Sequence, residues 1–461
     1  MKESFPTNET IAAISSAIAV GQGGIAVIRI SGKNAIKSVQ QSFIAKTKPD
    51  WETHKIFYGF IQDYQTEKII DEVLILVMKA PNSFTGEDIV EVQCHGGIII
   101  AKKILKILIS KKGLREALPG EFSQRALLNG RIDLSQAESI NQIINSKCEK
   151  AAELAVNGLT GKIKGEMHSI RKKLIKQLCE LEARVDFEDE MEDLNIKKFT
   201  KECNNITLEI NHIIESSRRL NYIHHGLNIA LIGRPNVGKS SLLNQLSRAE
   251  KAIVTDIPGT TRDTIEVNII LEKMPIKLID TAGIRETNNE IENLGVSRSR
   301  DCINNSDLVL FLFDLSSGWL KEDQVIFDSI PKNKEILIVG NKIDIIKNEH
   351  TNRSKKLNKK SINISAINGT GEKELISEII NLYNSLETKD IEIYMNNRQQ
   401  QLLIRCRDHL NTVHNLIKDN YPIDLYSIEI REAISCLAEI TGETLEQELL
   451  DNIFSQFCIG K

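Results

Sequence analysis

The feature that most constrains this fold is a glycine-rich loop between an apolar run and a helical segment. The apolar run at 229–232 has the composition of a buried strand, and Gly233 to Ser240 follow the pattern G-x-x-x-x-G-K-S. Backbone N–H groups of such a loop surround a phosphate, the lysine reaches the outer phosphates, and the serine hydroxyl ligates magnesium. The pattern predicts a nucleotide-phosphate site in an α/β domain. The residues expected to contact the nucleotide here are Asn236, Val237, Gly238, Lys239, Ser240 and Ser241.

Four further segments follow the loop in the order that a GTPase requires. Thr261 is placed to meet magnesium and the γ-phosphate, and Asp280 to bind magnesium through water while the Gly283 N–H senses the γ-phosphate. The Asp344 carboxylate matches the N–H edge of guanine and would be left unpaired by adenine, which selects GTP over ATP. The full set is Thr255, Asp256, Ile257, Pro258, Gly259, Thr260, Thr261, Asp280, Thr281, Ala282, Gly283, Asn341, Lys342, Asp344, Ser365 and Ala366.

One position departs from the Ras-like pattern. Ile284 follows Gly283 where water-orienting GTPases carry glutamine, and the sequence offers no obvious arginine finger. Either a partner protein or a monovalent cation, held by the loop and the segment around Gly259, must supply the missing group. Asn236 is the predicted cation ligand, and Glu292 is the nearest acidic residue that could position water.

Composition sets the cellular context. A chain of 461 residues needs two to four domains, and a formal charge of −4 confines any nucleic-acid contact to local basic patches. Such patches occur at 171–173, 218–219 and 355–360, each more typical of a solvated face. Eight cysteines without a C-x-x-C pair indicate a reducing compartment. The apolar run at 11–20 lacks a basic flank, so we expect a soluble cytoplasmic protein without a membrane span.

The remaining segments predict two other domains. Strand-like and helix-like runs mix before Pro119, which predicts an α+β domain with strands at 24–31, 54–61, 69–79 and 88–93, and helices ending near 43 and spanning 98–111. Cys94-His95 lacks a third metal ligand and is expected to be structural. Apolar residues spaced by three or four predict a long helix at 163–185 and further helices at 398–457. The acidic stretch 186–193 is expected to be a solvated helix end.

These helical stretches flank the nucleotide segment, so we predict that the nucleotide domain is inserted within one helical domain. The expected fold is multidomain α/β plus α, with an inserted Ras-like P-loop domain built on a mostly parallel sheet. The predicted boundaries are 1–122 for the N-terminal domain, 123–222 and 385–461 for the helical domain, and 223–384 for the GTPase domain.

Five further motifs carry a family resemblance. They occupy residues 24–32, 82–88, 119–123, 128–134 and the terminal Phe-Cys-Ile-Gly-Lys at 457–461. Together with the GTPase elements, they resemble the MnmE (TrmE) family of tRNA-modifying GTPases over essentially the whole chain. The resemblance implies a folate-binding-like N-terminal domain that forms a homodimer, with the folate contacted by Arg29, Glu91, Arg131 and Lys461.

The resemblance also implies the chemistry. GTPase domains of the family meet in a potassium-dependent way, with the cation at Asn236, Thr255, Ile257 and Thr260, and magnesium at Ser240 and Thr261. Glu292 would position water, assisted by Lys239 and Asp280. With the FAD protein MnmG (GidA) in a heterotetramer, the family adds an aminomethyl or carboxymethylaminomethyl group to C5 of the tRNA wobble uridine, using a tetrahydrofolate one-carbon donor. Cys458 is a possible nucleophile, although a tail thiol is more often inert.

Two other functions compete with this interpretation. A regulatory GTPase of ribosome assembly would share the loop, but relatives of that kind carry a second P-loop or a C-terminal KH domain. Only one P-loop occurs here, and the C-terminal segment is predicted to be helical. A stand-alone folate aminomethyltransferase would leave the GTPase elements unexplained.

Overall fold

A computed structural model shows the fold of most of the chain. It describes residues 9–17, 23–187, 192–249, 265–271, 274–280, 302–304, 306–332, 334–346, 361–384, 393–444 and 447–460. The chain divides into two compact units. Unit 1 comprises Met1–Ile144, Val156–Ile210 and Asn397–Lys461, and unit 2 comprises Asn145–Ala155 and Asn211–Asn396. The domain boundaries predicted from the sequence remain a prediction.

Unit 1 contains a seven-stranded sheet in the order β3-β4-β5-β6-β2-β1-β7. Neighbouring strands are antiparallel except β1 and β7, which are parallel. The strands are β1 Thr10–Ile14, β2 Ile25–Ser31, β3 Phe43–Ala45, β4 Lys55–Gln62, β5 Ile69–Met78, β6 Ile89–His95 and β7 Leu114–Glu116. Helices α1 Ala35–Gln40 and α2 Ile98–Ile109 accompany the sheet.

The two faces of this sheet differ because side chains alternate along each strand. Ala26, Ile28 and Ile30 of β2 are fully buried and pack with Ile104 of α2 in one apolar cluster. Arg29 lies between them in the sequence and therefore points to the opposite face. The opposite face therefore carries Arg29, one of the residues predicted to contact folate.

The helices of unit 1 bury apolar stripes against one another. The helix at Lys162–Asp186 buries Ile163, Met167 and Leu174, as the spacing of three or four predicts. It packs against the helix at Ile423–Thr441, which also packs against the helix at Asn397–Lys418. The helices beyond the N-terminal sheet are α3 Glu121–Leu128, α4 Leu134–Asn145, α5 Glu149–Leu159, α6 Lys162–Asp186, α7 Ile196–His225, α11 Asn397–Lys418, α12 Ile423–Thr441 and α13 Gln447–Phe454, with α5 and α7 divided between the two units.

Unit 2 is built on a six-stranded sheet in the order β13-β12-β11-β8-β10-β9. Its strand pairs are parallel except β9 with β10, which confirms the predicted mostly parallel sheet. The strands are β8 Leu227–Ile232, β9 Ile265–Leu271, β10 Met274–Asp280, β11 Leu308–Asp314, β12 Glu335–Asn341 and β13 Ser361–Asn363. Helices α8 Lys239–Ala249 and α10 Glu372–Asn384 pack on one face, and α9 Lys321–Asp328 packs on the other.

Three local differences separate the sequence prediction from the structure. The first helix was expected to run to Phe43, but it ends at Gln40, and Phe43–Ala45 pairs with β4 instead. Strands β1 and β7 were not predicted.

Within the part of the chain that the structure describes, no helix combines the length and the apolarity needed to cross a bilayer.

Candidate functional site

The nucleotide loop connects β8 to α8 and depends on two close backbone approaches. Gly238 has φ +98°, and a Cβ there would lie 2.1 Å from Asn341 Nδ2. A Cβ on Gly233 would lie 2.2 Å from the Leu312 carbonyl oxygen. Both positions therefore require glycine. Lys239 Nζ donates to the carbonyl oxygens of Gly233 at 2.7 Å and Arg234 at 2.9 Å, which holds the lysine across the loop.

Asn341 joins three parts of the site. Its Nδ2 donates to the Val237 carbonyl at 2.8 Å, and its Oδ1 accepts from the Ala366 N–H at 2.9 Å and the Lys342 N–H at 2.8 Å. The side chain is only 2% exposed. Because a buried amide that loses a partner is costly, this bridge fixes the phosphate loop and the base-binding segments relative to one another.

The base-binding segments lie at the ends of β12 and β13. Lys342 has φ +70°, and its Nζ donates to Asp314 Oδ2 at 2.6 Å. Burial tends to raise the pKa of Asp314, but hydrogen bonds from Lys342 and Ser316 outweigh it and lower that pKa. The Asp344 side chain is exposed and available to a ligand.

A cavity of about 520 Å³ adjoins these segments. It is lined by Ser241 and Gln245 of α8 and by Ala366 and the residues that follow. The cavity thus lies between the first turns of α8 and the segment predicted to close over the base. The predicted nucleotide residues that line it are Ser241 and Ala366, so the cavity borders the predicted nucleotide site.

Several predicted nucleotide residues fall outside the described part of the chain. Asp280 is the last residue of β10, directly beside β8 in the sheet. The predicted residues outside the described part are Thr255, Asp256, Ile257, Pro258, Gly259, Thr260, Thr261, Thr281, Ala282, Gly283 and Glu292.

A second site forms on the sheet of unit 1, around two of the predicted folate residues. Arg29 of β2 and Glu91 of β6 are paired in the register, and Arg29 Nε donates to Glu91 Oε1 at 2.8 Å. The guanidinium carbon lies 5.5 Å from the centre of the Phe84 ring and 5.8 Å from that of Phe122. A guanidinium that lies near two aromatic rings and is paired with a carboxylate gives this site polar and aromatic groups that suit a planar, polar heterocycle.

Ion pairs between α3, the segment before it and the loop around Phe84 hold the elements of this second site together. Glu121 of α3 is 1% exposed and accepts two hydrogen bonds from Arg115, at 2.6 and 2.7 Å, and one from Arg125 at 2.9 Å. Arg125 also donates to Glu87 at 3.1 Å, in the loop that carries Phe84. Burial tends to raise the pKa of Glu121, but the bonds from Arg115, the Leu118 N–H and Arg125 outweigh it and lower that pKa.

The other two predicted folate residues are less closely placed. Arg131 is exposed in the loop between α3 and α4, and no hydrogen bond among the described residues joins its side chain to Arg29 or Glu91. Lys461 lies outside the described residues, but its neighbour Gly460 contacts the end of β1, where a Cβ would lie 2.7 Å from the Ile14 carbonyl.

The tail leading to that contact is anchored on α3. Phe454 and Phe457 belong to an apolar cluster with Ala126, and the Cys458 carbonyl accepts from the Gly120 N–H at 3.4 Å. The Cys458 side chain itself is exposed. Within the described chain no base or cation is hydrogen-bonded to its thiol, so its predicted reactivity stays a hypothesis.

Cys94 and His95 make separate structural contacts. Burial raises the pKa of the Cys94 thiol to about 11. His95 Nδ1 lies 2.7 Å from Asp71 Oδ1, while its backbone N–H donates to Asp71 Oδ2. Among the described residues, no group of three His, Cys, Asp or Glu side chains is placed to hold a metal ion.

Sequence reasoning missed the residues that hold the two sites in place. The bridging role of Asn341, the pairing of Lys342 with Asp314 and the stacking of Phe84 on Arg29 all join segments remote in sequence. Glu87 and Glu121 fall within the motifs at 82–88 and 119–123, but the sequence did not indicate that both would pair with Arg125.

Two family models match the chain. The MnmE helical domain matches residues 134–458, and the GTP-binding protein TrmE N-terminus matches residues 10–131. The tRNA modification GTPase MnmE of Prochlorococcus marinus strain MIT 9301 is 52% identical over 456 residues, 99% of each chain. The tRNA modification GTPase MnmE of Synechococcus sp. strain CC9311 is 46% identical over 98% of each chain. A crystal structure of Aquifex aeolicus Era bound to GDP and aluminium fluoride is 28% identical, covers 40% of this chain and 66% of its own, and has a TM-score of 0.28.

Proposed function

The chain belongs to the MnmE family of tRNA modification GTPases, and from this premise we propose that it uses GTP hydrolysis to drive modification of the wobble uridine of tRNA at C5. The added group is aminomethyl or carboxymethylaminomethyl, and its carbon comes from a tetrahydrofolate donor. The observation that carries the proposal is the coexistence of a guanine-nucleotide site in unit 2 and the Arg29–Glu91 site in unit 1. A purely regulatory GTPase has no use for the second site.

The magnesium and potassium sites rest on the chemistry of the donors. Ser240 lies in the first turn of α8, where its hydroxyl suits magnesium, and the N–H groups of that turn suit the phosphate that magnesium accompanies. Asn236 has φ +64° and an exposed side chain, which offers a carbonyl oxygen to a potassium ion beside the loop. The remaining proposed ligands are Thr255, Ile257, Thr260 and Thr261. When bound, the two cations neutralise charge that develops on the phosphates.

Protein groups complete the hydrolysis site. We assign Lys239 to the outer phosphates, Asp280 to the magnesium shell through water, and Glu292 to positioning the attacking water. Ile284 cannot orient the attacking water, because isoleucine has no polar side-chain group. Potassium-dependent pairing of two GTPase domains would complete the catalytic site instead.

The folate donor suits the site of unit 1 for a related chemical reason. A pterin presents an N–H edge like that of guanine, and a carboxylate such as Glu91 accepts hydrogen bonds from it as Asp344 would from guanine. The guanidinium of Arg29 is held near the Phe84 and Phe122 rings and beside Glu91, where it offers hydrogen-bond donors to the polar edge of a ligand. Arg131 and Lys461 would close the site from the loop after α3 and from the tail.

A homodimer is supported by one face of the unit 1 sheet. On strands β4 and β5, Ile56, Tyr58 and Leu74 are 63%, 41% and 39% exposed and share that face. Clustered apolar side chains of this kind are typical of protein interfaces. We place the dimer in the cytoplasm, where its eight free cysteines suit a reducing environment.

The proposed partner is an FAD protein of the MnmG type, joined in a heterotetramer. The sequence lacks a G-x-G-x-x-G fingerprint opening a helix, which supports binding of FAD to the partner. Cys458 is exposed at the tail and is the proposed group for any covalent step of this chain on the one-carbon unit.

The deciding experiment is a nucleoside mass analysis of tRNA from cells that lack this protein. The C5-modified wobble uridines should disappear and return with the wild type but not with Asp280→Ala. Asp280→Ala should abolish GTP hydrolysis in the purified protein. Unaltered nucleosides would support the alternative, a regulatory GTPase of ribosome assembly, and would overturn the proposal.

A further inference from the structure

Helix α6 presents a row of basic side chains that neither site uses. The row consists of Lys164, His168, Lys172 and Lys176, spaced by four residues and therefore on one face of the helix. All four side chains are exposed. At a rise of about 1.5 Å per residue, the row extends about 18 Å. The opposite face is the apolar stripe buried within unit 1.

Three other basic side chains of α6 are paired with opposite charges. Lys173 Nζ lies 2.6 Å from Glu209, and Arg184 lies 3.4 Å from Glu180. Arg171 pairs with Glu443 in the same way. These pairs lie to the sides of the row, where neighbouring elements pack.

The row itself has little compensation. Lys164 lies 4.0 Å from Asp133, at the limit of an ion pair. Among the described residues, no acidic group lies within ion-pair distance of His168, Lys172 or Lys176. Lysines four residues apart repel one another and slightly destabilise a helix, so solubility alone would not favour this arrangement over the mixed charges beside it.

We propose that this basic row binds the phosphodiester backbone of tRNA, an inference that rests on the proposed function. A polyanion is the partner that charge complementarity selects, because the chain as a whole is negative and the row is a local exception. A straight row along one helix can follow consecutive phosphates of one strand. Such contacts fix the position of the RNA and leave base recognition to other groups.

A second lysine cluster serves as the comparison. Lys102, Lys103 and Lys106 project from the exposed face of α2, within about one helical turn. The Gln65 N–H, nearby hydrogen bonds and the charge of Lys103 lower the pKa of Asp63, so this cluster lies beside a carboxylate. It covers about one helical turn, whereas the row on α6 extends over about three turns and can follow more phosphates, which favours α6 as the RNA surface.

The test measures binding of an unmodified tRNA transcript to the full-length protein by fluorescence anisotropy at several salt concentrations. Lys172→Glu/Lys176→Glu should weaken binding at least about tenfold and reduce the slope of log affinity against log salt by about 2. Lys102→Glu/Lys106→Glu reverses two lysines at the same spacing on α2 and should change affinity less than about twofold. Equal effects of the two variants, or no effect of the first, would overturn the inference.

A footprint on the wild type needs no variant to fold. Bound tRNA should slow acylation of Lys172 and Lys176 by an amine reagent and leave Lys102 unaffected; the opposite pattern would refute the inference. Basal GTP hydrolysis of the α6 variant should match the wild type. If the variant lost binding of the FAD partner but kept tRNA binding, the row would be a protein-binding surface and the inference wrong. Failure of the wild type to bind tRNA would instead count against the proposed function.

Discussion

The nucleotide site of unit 2 and the Arg29 site of unit 1 are assembled in different ways. The first uses short consecutive segments, each following a strand of a mostly parallel sheet, and backbone groups make most of its contacts. The second draws on β2, β6, the loop around Phe84 and α3, and buried charges hold it together. A site built from backbone groups needs particular residues at fixed spacing, whereas a site built from ion pairs needs partners that meet only in the folded chain.

This difference determines how each site should fail. Loss of a single ligand-facing group should disable the nucleotide site and leave the fold intact. Loss of a single charge behind Arg29 should disturb both the fold of unit 1 and its ligand, because a buried ion pair that loses one member leaves an uncompensated charge.

The largest expected effect concerns Asp344. Asp344→Asn replaces a hydrogen-bond acceptor by an amide, and affinity for GTP should fall at least about a thousandfold, because the guanine N–H edge loses its partner. Affinity for xanthosine triphosphate, which presents a carbonyl at that edge, should rise. Calorimetry with both nucleotides measures the change. Binding of 5-formyltetrahydrofolate should stay at the wild-type level, and a parallel loss would show that the two sites are not independent.

The second effect concerns Arg125, which is 7% exposed and bonded to Glu121 and Glu87. Arg125→Met should lower the free energy of unfolding of unit 1 by about 3 kcal/mol. It should also weaken 5-formyltetrahydrofolate binding, because the loop carrying Phe84 loses its anchor, while the GTP dissociation constant stays unchanged.

The matched control for Arg125 is Arg407→Met. Among the described residues, the ion pair of Arg407 is with the neighbouring Asp408 at the surface, so its loss should cost less than about 0.5 kcal/mol. Thermal melting and calorimetry of the two variants decide the matter. Equal destabilisation by both would mean that the buried network does not hold the site.

The fold could be predicted where it depends on a local sequence pattern, and not where it depends on contacts between distant segments. Helix α6 was predicted almost to its ends, because its apolar stripe is continuous. Strand β7 at Leu114–Glu116 was missed, since three residues carry no period and the strand exists through pairing with β1. Phe43 was predicted as the end of a helix, yet it begins the strand Phe43–Ala45, whose pairing with β4 overrides that local preference.

The same limit applies to predicting the residues of the two candidate sites. The predicted Asn341, Lys342 and Asp344 lie beside the nucleotide loop because their motif has a fixed place at the end of a strand. Glu121 and Phe122 lie in the motif at 119–123, but the motif assigns them no contact, and their roles depend on α3 packing against the sheet. Family resemblance supplied Arg29 and Glu91, which the residues alone would not have connected.

A smaller effect concerns the acid dependence of unit 1. The pKa of Glu121 lies below its ordinary value of 4.5 in the folded chain, so its stabilising contribution is present above about pH 4.5 and is lost as the pH falls through the folded pKa. Glu121→Gln should therefore lower the melting temperature at pH 7 and make its decline below pH 5 shallower. The exposed Glu374→Gln of α10 is the control and should leave the profile unchanged. An unchanged acid slope in Glu121→Gln would contradict the assignment.

The smallest expected effect tests whether buried charge is a general property of the unit 1 sheet. Lys111 is 9% exposed, donates to Ser42 Oγ at 2.8 Å, and has a pKa lowered by burial to about 8. The unfolded chain binds more protons than the folded chain between about pH 8 and its ordinary value of 10.5, so stability should rise with pH across that window. Lys111→Met should remove this rise, which corresponds to about 2 kcal/mol, or about 5 °C in melting temperature, between pH 8 and pH 10. The exposed neighbour Lys112→Met should retain it, and a rise that persisted in Lys111→Met would assign the pH dependence to another group.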